Sequence, residues 1–151
     1  MFLEDYASIL LGVHLVAAVI ALIALLASFS YIILASEKDW QMGVRAAVYG
    51  SYAYIITLIL GLLIYPVLRI KVRAENFDKV KPWATGLFEV KEHIGSIALF
   101  AAIAIIVLAS STDEKSSISR KNLFGFLVAV VTLVFLFKFI AGFILTGLDK
   151  M

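Results

Sequence analysis

The chain has 151 residues, of which 63% are hydrophobic and 16% are charged, and its mean hydropathy is +1.04. Soluble domains contain about 45–50% apolar and about 25% charged residues, so the composition excludes a water-soluble globule. The formal net charge is only +2 and the basic residues are scattered over short loops, so no nucleic-acid partner is expected. Cysteine is absent, which excludes disulfides, iron–sulfur clusters and thiolate zinc sites.

Four apolar runs, each of roughly 20–30 residues, are long enough to cross a hydrocarbon layer about 30 Å thick. They predict transmembrane helices at about 6–35, 42–66, 86–109 and 122–146. The first run is longer than a signal-peptide core and follows Glu4 and Asp5, so we interpret it as a retained helix. The polar connections around 36–41 and 111–121 are short, which makes consecutive helices antiparallel. The predicted fold is all-α, an integral membrane up-down four-helix bundle that forms a single domain.

Pro66 and the basic residues after it, Arg69 and Arg73 among them, predict that the second helix ends where the apolar run ends. The connection over 67–84 mixes aromatic residues with lysines, which is typical of a segment lying along a membrane interface. Arg69 and Lys91 are expected to extend to the lipid headgroups. Basic residues are slightly more numerous at the end that carries both termini, so the positive-inside rule favours both termini in the cytoplasm.

Ionisable side chains inside the apolar runs are costly in lipid unless they face the bundle interior and find a partner. They are His14 on the first helix, Glu89, Glu92 and His93 on the third, and Lys138 on the fourth, with Arg69 at the end of the second. At 1.5 Å per residue, His14, His93 and Lys138 all lie about 10–14 Å from the same end of the bundle. The sequence therefore predicts that the buried ionisable groups share one half of the bilayer.

The two histidines have the arrangement that one haem iron needs for ligation from both faces. They lie at equal depth on the first and third helices, which are diagonal in an up-down bundle, and imidazole is a common axial ligand. We therefore predict one haem b per chain, with His14 and His93 as the metal ligands. Arg69 and Lys138 would neutralise the haem propionates, and Tyr65 completes the predicted cofactor-binding set.

Two glutamates are predicted proton-relay groups: Glu89, which precedes His93 by one helical turn and could orient its ring, and Glu92. Other interpretations remain open. The histidines could be interhelical hydrogen-bonding residues or could serve a non-haem metal. Glu92 and Lys138 could form a neutralising salt bridge, or could join His93 in a proton or ion path. A di-iron site is not among these interpretations, because it requires a Glu-x-x-His motif on each of two helices and the sequence lacks that motif.

The second helix carries a face of small and hydroxyl-bearing residues within an otherwise aliphatic run. Its members are Gly50, Tyr54, Thr57, Gly61 and Tyr65, at helical spacings of four and three. Such a face allows either close packing of helices or clearance for a flat ligand.

Two stretches of the chain, Tyr65-Pro66-Val67-Leu68-Arg69 and Phe88-Glu89-Val90-Lys91-Glu92-His93, resemble a group of small four-span membrane proteins. That group bears a Tyr-Pro-x-x-Arg and a Phe-Glu-x-Lys-Glu-His motif, and the resemblance transfers no activity. The architecture is also similar to that of four-helix membrane b-type cytochromes, many of which carry four histidines for two haems. Two histidines imply a single haem near one surface, which does not form an electron relay across the bilayer.

These features together predict a membrane haem b protein, acting as an electron-transfer or quinol-linked redox subunit of the cytoplasmic (inner) membrane. The expected partners are the lipid bilayer, a quinone or a redox partner protein, and either further copies of the chain or other subunits of a membrane complex. One alternative function is a proton- or ion-path transporter or channel subunit using Glu92, His93 and Lys138. Another is a structural subunit of a larger complex. The sequence names no turnover reaction.

Overall fold

The computed structural model describes residues 6–34, 39–111 and 117–149, and within these ranges it is 96% helical without strands. Four long helices are present: α1 (Ala7–Phe29), α2 (Trp40–Val67), α3 (Pro82–Ala109) and α4 (Ile118–Asp149). Each belongs to a stretch that is long and apolar enough to cross a membrane, which confirms the four predicted helices. The predicted polar connections at 36–38 and 112–116, and Lys150 at the end carrying the termini, lie outside the described residues.

The helices form an antiparallel ring in which each packs against the next and α4 returns to α1. Individual contacts show how neighbouring helices are aligned along their axes. Glycines of α2 approach α1 at two points about three helical turns apart, Gly50 at Leu25 and Gly61 at His14. Thr132 Oγ1 of α4 donates a 3.4 Å hydrogen bond to the Leu25 carbonyl. The pairs α1/α3 and α2/α4 therefore lie across the diagonals, as expected for an up-down bundle.

The second helix does not end at Pro66, as the sequence had suggested. Pro66 lies inside the helix, and a π-helical stretch, Leu68–Phe77, continues the chain to a final turn at Asp78–Val80. Proline removes one backbone donor, and the wider π-helical pairing directly after it accommodates that loss without breaking the rod. Residues 67–80 of the predicted interfacial connection therefore extend α2, and the chain turns at Lys81.

Other helix bounds also differ from the sequence-based ones. α3 begins at Pro82, four residues before the predicted start, because proline fits the first helical position, where no N–H is needed. α4 begins at Ile118 and continues through Gly147 to Asp149, so this glycine does not act as a helix stop. At the end of α1, a π-helical turn, Ser30–Leu34, follows the α-helix.

Small residues occupy several contact positions on the first three helices, whereas α4 contributes larger side chains such as Phe124 and Phe135. Ala21, Ala47, Ala98 and Ala102 are completely buried, and they allow the backbones to approach closely. The outer surface is as apolar as the core. Large hydrophobic residues are exposed on every long helix, and Phe143 retains 76% of its accessible surface. Helices that are apolar on all sides are typical of membrane spans.

Candidate functional site

A group of polar and ionisable side chains lies between the helices, in the half of the bundle that contains the start of α1. Its members, here called the interior cluster, are His14, Tyr54, Lys91, Glu92 and Lys138. Tyr54 is buried and the other four are half-buried. They come from all four long helices, so only the assembled bundle brings them together.

His14 of the interior cluster fills a space left by a glycine on α2. A Cβ added at Gly61 would lie 3.3 Å from His14 Cε1 and 3.7 Å from Nδ1, so a larger residue would press on the ring. His14 Nδ1 is buried and has no hydrogen-bond partner among the described residues, although the backbone of Thr57 is close. Buried polar atoms without partners are rare in native structures, so this nitrogen is a position where a ligand or a proton can be taken up.

Tyr54 and Lys138 meet at a glycine of α3. Tyr54 Oη donates a 2.7 Å hydrogen bond to the Gly95 carbonyl, and its ring stands edge-on to Phe135. Lys138 Nζ lies 6.0 Å from the centre of the Tyr54 ring. The same ammonium group would collide with a Cβ added at Gly95. Gly95 therefore makes room for a charged head group to reach the backbone of α3.

Lys91 and Glu92 form an ion pair between neighbouring positions of α3, with 2.9 Å between Nζ and Oε1. Their side chains keep only 17% and 27% of their accessible surface, so Lys91 lies inside the bundle rather than at its rim as predicted. The predicted bridge between Glu92 and Lys138 is not formed among the described residues. Lys138 is instead directed at Gly95, one turn further into the bundle, while Lys91 reaches the carboxylate from the next position.

The members of the interior cluster are close enough to interact electrostatically. Lys91, Glu92 and Lys138 each act on the His14 ring. Lys91 and Glu92 also act on Lys138. Counted at formal charges with a neutral imidazole, the cluster sets two ammonium groups against one carboxylate, which is a surplus of one positive charge.

His93 does not belong to the interior cluster. Its side chain is exposed, and its Nδ1 lies 2.7 Å from the carbonyl oxygen of Glu89 on the same helix. The buried face of α3 includes Gly95 and Ala98, whereas His93 lies about 200° from Gly95 at 3.6 residues per turn. The structure therefore does not bring His14 and His93 together, and of the two only His14 enters the interior cluster.

The side chains predicted to bind haem lie in two separate parts of the bundle. His14 and Lys138 belong to the interior cluster, whereas Arg69 lies over the ring of Tyr65, which stacks on Phe88 nearer the end of the bundle. A bis-histidine haem needs two imidazoles that face each other, and one chain offers a single inward-facing ring. The described residues also contain no group of three or more metal-ligating side chains. The side chains therefore do not fit such a haem within one chain, and haem b stays a prediction.

Glu89, one of the two predicted proton-relay groups, is part of a separate ion-pair network. Arg73 Nη2 lies 2.7 Å from Glu89 Oε1, and Arg73 Nε lies 3.5 Å from Asp78 Oδ1. Thr85 Oγ1 donates a 2.7 Å hydrogen bond to Asp78 Oδ1. This network joins the extension of α2 to the start of α3 around the turn at Lys81, so the Glu89 carboxylate holds Arg73 and does not orient His93.

Lys91 and Gly95 were not assigned to a site from the sequence, although a signal for them exists there. Small residues at Gly95, Ala98 and Ala102 recur at spacings of three and four, which marks the contact face of α3. Lys91 lies on that face one turn before Gly95, and His93 does not. The pattern of small residues therefore predicts that Lys91 faces the bundle interior and that His93 faces outward.

No family model, curated protein or solved structure matches the chain.

Proposed function

We propose that the protein is a multi-pass protein of the cytoplasmic membrane that carries protons or ions through its interior cluster. The observation that carries this proposal is the presence of four half-buried ionisable groups inside a bundle with an apolar outer surface. In lipid such groups are expensive, and they commonly belong to ion pathways or proton relays. The proposal differs from the sequence-based version of the path in two respects: His14 replaces His93, and Tyr54 and Lys91 are added.

Buried hydroxyl groups extend the polar interior beyond the cluster. Ser51 on α2 is one turn from Tyr54, and its Oγ is buried without a partner among the described residues. Thr132 on α4 and Ser28 on α1 follow towards the other end of the bundle, each bonded to a backbone carbonyl of a neighbouring helix. Hydroxyls both donate and accept, so these groups support proton or ion passage from the cluster through the remaining half.

Flux measurements on protein reconstituted into liposomes test this function. The expected result is a flux that follows an imposed membrane potential, reported by an internal pH-sensitive dye for protons and by an internal chloride-sensitive dye for anions. Glu92→Gln and Lys138→Met should each reduce the initial rate by about tenfold or more, which corresponds to about 1.4 kcal/mol in the barrier. A wild-type protein without flux, or two variants with undiminished flux, would overturn the proposal.

Two matched variants make the flux experiment specific. Lys79→Met removes a lysine from an exposed position in the last turn of the extension of α2, and it should leave the flux unchanged. His93→Gln should also leave it unchanged, because the His93 side chain lies outside the cluster. Loss of flux in His93→Gln would contradict the geometry on which the proposal depends.

The haem prediction is tested separately by a reduced-minus-oxidised visible spectrum of the purified protein. A haem b absorbance that disappears in both His14→Ala and His93→Ala would support it. Because His93 is exposed in the single chain, such a result would require a second copy or another subunit to cover it. A protein without haem absorbance that still carries flux is the result expected from the interior cluster.

A further inference from the structure

We infer that the interior cluster binds a small monovalent anion, held by the ammonium group of Lys138 and flanked by His14 and Lys91. This inference deepens the proposed function, because it names the class of ion that the cluster accepts. It rests on that function only for the membrane setting of the cluster. The argument depends on the charges and contacts of the cluster itself.

The first step is the balance of charge inside the bundle. The only carboxylate of the interior cluster, on Glu92, is already engaged by Lys91 at 2.9 Å. Among the described residues, no carboxylate lies within salt-bridge distance of Lys138 Nζ. Its contacts are the Gly95 position and the face of the Tyr54 ring. Glu92 acts on Lys138 only from beyond that distance, so the ammonium group has no direct ion pair among the apolar helices. This is unfavourable, and an anion supplied from solution removes that cost.

The second step is the convergence of donors from three helices. Lys138 from α4 and Lys91 from α3 both act electrostatically on the ring of His14 from α1. Positive groups that converge in an apolar interior repel one another unless a negative charge lies between them. Among the described residues the buried Nδ1 of His14 has no partner with full hydrogen-bond geometry; the nearby Thr57 backbone interacts with the ring but leaves that bond unmade. Two cations and an imidazole around one paired carboxylate therefore form an anion site.

The third step is the size and charge of the ligand. A single surplus charge matches a monovalent anion, since a divalent one would leave the cluster with an excess of negative charge. The surroundings of Lys138 are narrow, because Tyr54 is 1% exposed and Gly95 and Phe135 are buried beside it. Halides and formate are small enough for such a position, whereas gluconate is a bulky monovalent anion that serves as the control.

Thermal unfolding of the detergent-purified full chain tests the anion site. Chloride or formate replaces gluconate at constant ionic strength and pH, so that only the identity of the anion changes. Because a ligand that binds only the folded state stabilises it, we expect a saturable rise in melting temperature of about 5 °C or more at anion concentrations far above the dissociation constant. Lys138→Met should abolish the rise, and Lys79→Met should retain it.

Three results would overturn the inference: no difference between chloride and gluconate in the wild type, a rise that does not saturate, or an equal rise in Lys138→Met. If Lys138→Met does not fold, chloride nuclear magnetic resonance of the wild type replaces it. Broadening of the chloride line that formate abolishes by competition, but gluconate does not, would support the site. Absence of such broadening would overturn the inference. If the flux assay fails but the anion still stabilises the protein, only the transport function is refuted. If the protein carries flux but the anion does not stabilise it, only the anion site is refuted.

Discussion

Replacing Gly95 with alanine adds one methyl group at the point where Lys138 reaches α3. The added Cβ would collide with Lys138 Nζ, and it would also lie 3.4 Å from Lys138 Cε. The matched change is Gly86→Ala on the same helix, where an added Cβ meets no atom of another residue within 4 Å. Both substitutions exchange glycine for alanine inside α3, so the difference between them isolates the contact with Lys138.

The expected magnitudes follow from these contacts. Alanine is favoured over glycine in a helix interior by about 1 kcal/mol, so Gly86→Ala should increase the free energy of unfolding slightly. At Gly95 the colliding atom is the far end of a flexible side chain, which can move aside, so the main opposing cost is loss of the contact between Lys138 and Tyr54, worth about 0.5–2 kcal/mol. We therefore expect Gly95→Ala to be less stable than Gly86→Ala by about 1 kcal/mol.

A double-mutant cycle with Lys138→Met tests whether this loss of stability comes from the contact with Lys138. Methionine is also flexible but lacks the terminal ammonium group, so Gly95→Ala should no longer clash and should resemble Gly86→Ala. The expected coupling between positions 95 and 138 is about 1 kcal/mol, measured by unfolding in mixed detergent and SDS micelles followed by circular dichroism. Equal effects of Gly95→Ala with lysine or methionine at position 138 would refute the placement of the ammonium group.

Three further changes probe the rest of the bundle by the same unfolding measurement. Gly50→Ala would place a Cβ 3.0 Å from the Leu25 side chain and 3.2 Å from its backbone nitrogen, which cannot move away easily. It should be destabilising by about 1–2 kcal/mol, whereas Gly12→Ala, with open space, should not be. Tyr54→Phe removes one buried hydrogen bond while the ring remains, and a loss of about 1 kcal/mol is expected; no loss would argue against that bond. Arg73→Gln removes a partly exposed ion pair, so its effect should stay below about 1 kcal/mol and diminish in high salt, and a larger effect would show that the turn depends on that network.

Pro66 and His93 show where local sequence patterns were insufficient. Proline after an apolar run is a common helix end, but here the π-helical stretch after Pro66 keeps the rod continuous to Val80. His93 follows Glu89 by one turn, and counting residues along the helices predicts about the same depth for His93 as for His14. Depth does not fix rotation about the helix axis, and the rotation of α3 leaves the His93 side chain exposed.

The amino-acid sequence by itself determined the number of long apolar helices, because each apolar run is long enough to fold as one helix, and the described residues contain four. It also determined the shared face of Gly50, Tyr54 and Thr57, since a 3.6-residue period fixes which side chains lie together. Only the tertiary structure decided which ionisable groups meet. Apolar residues surround each helix almost completely, so hydrophobicity gives little preference for one inward face. Close contacts at Gly61 and Gly95 set the rotations, and they place His14 and Lys138 within reach of Lys91 and Glu92.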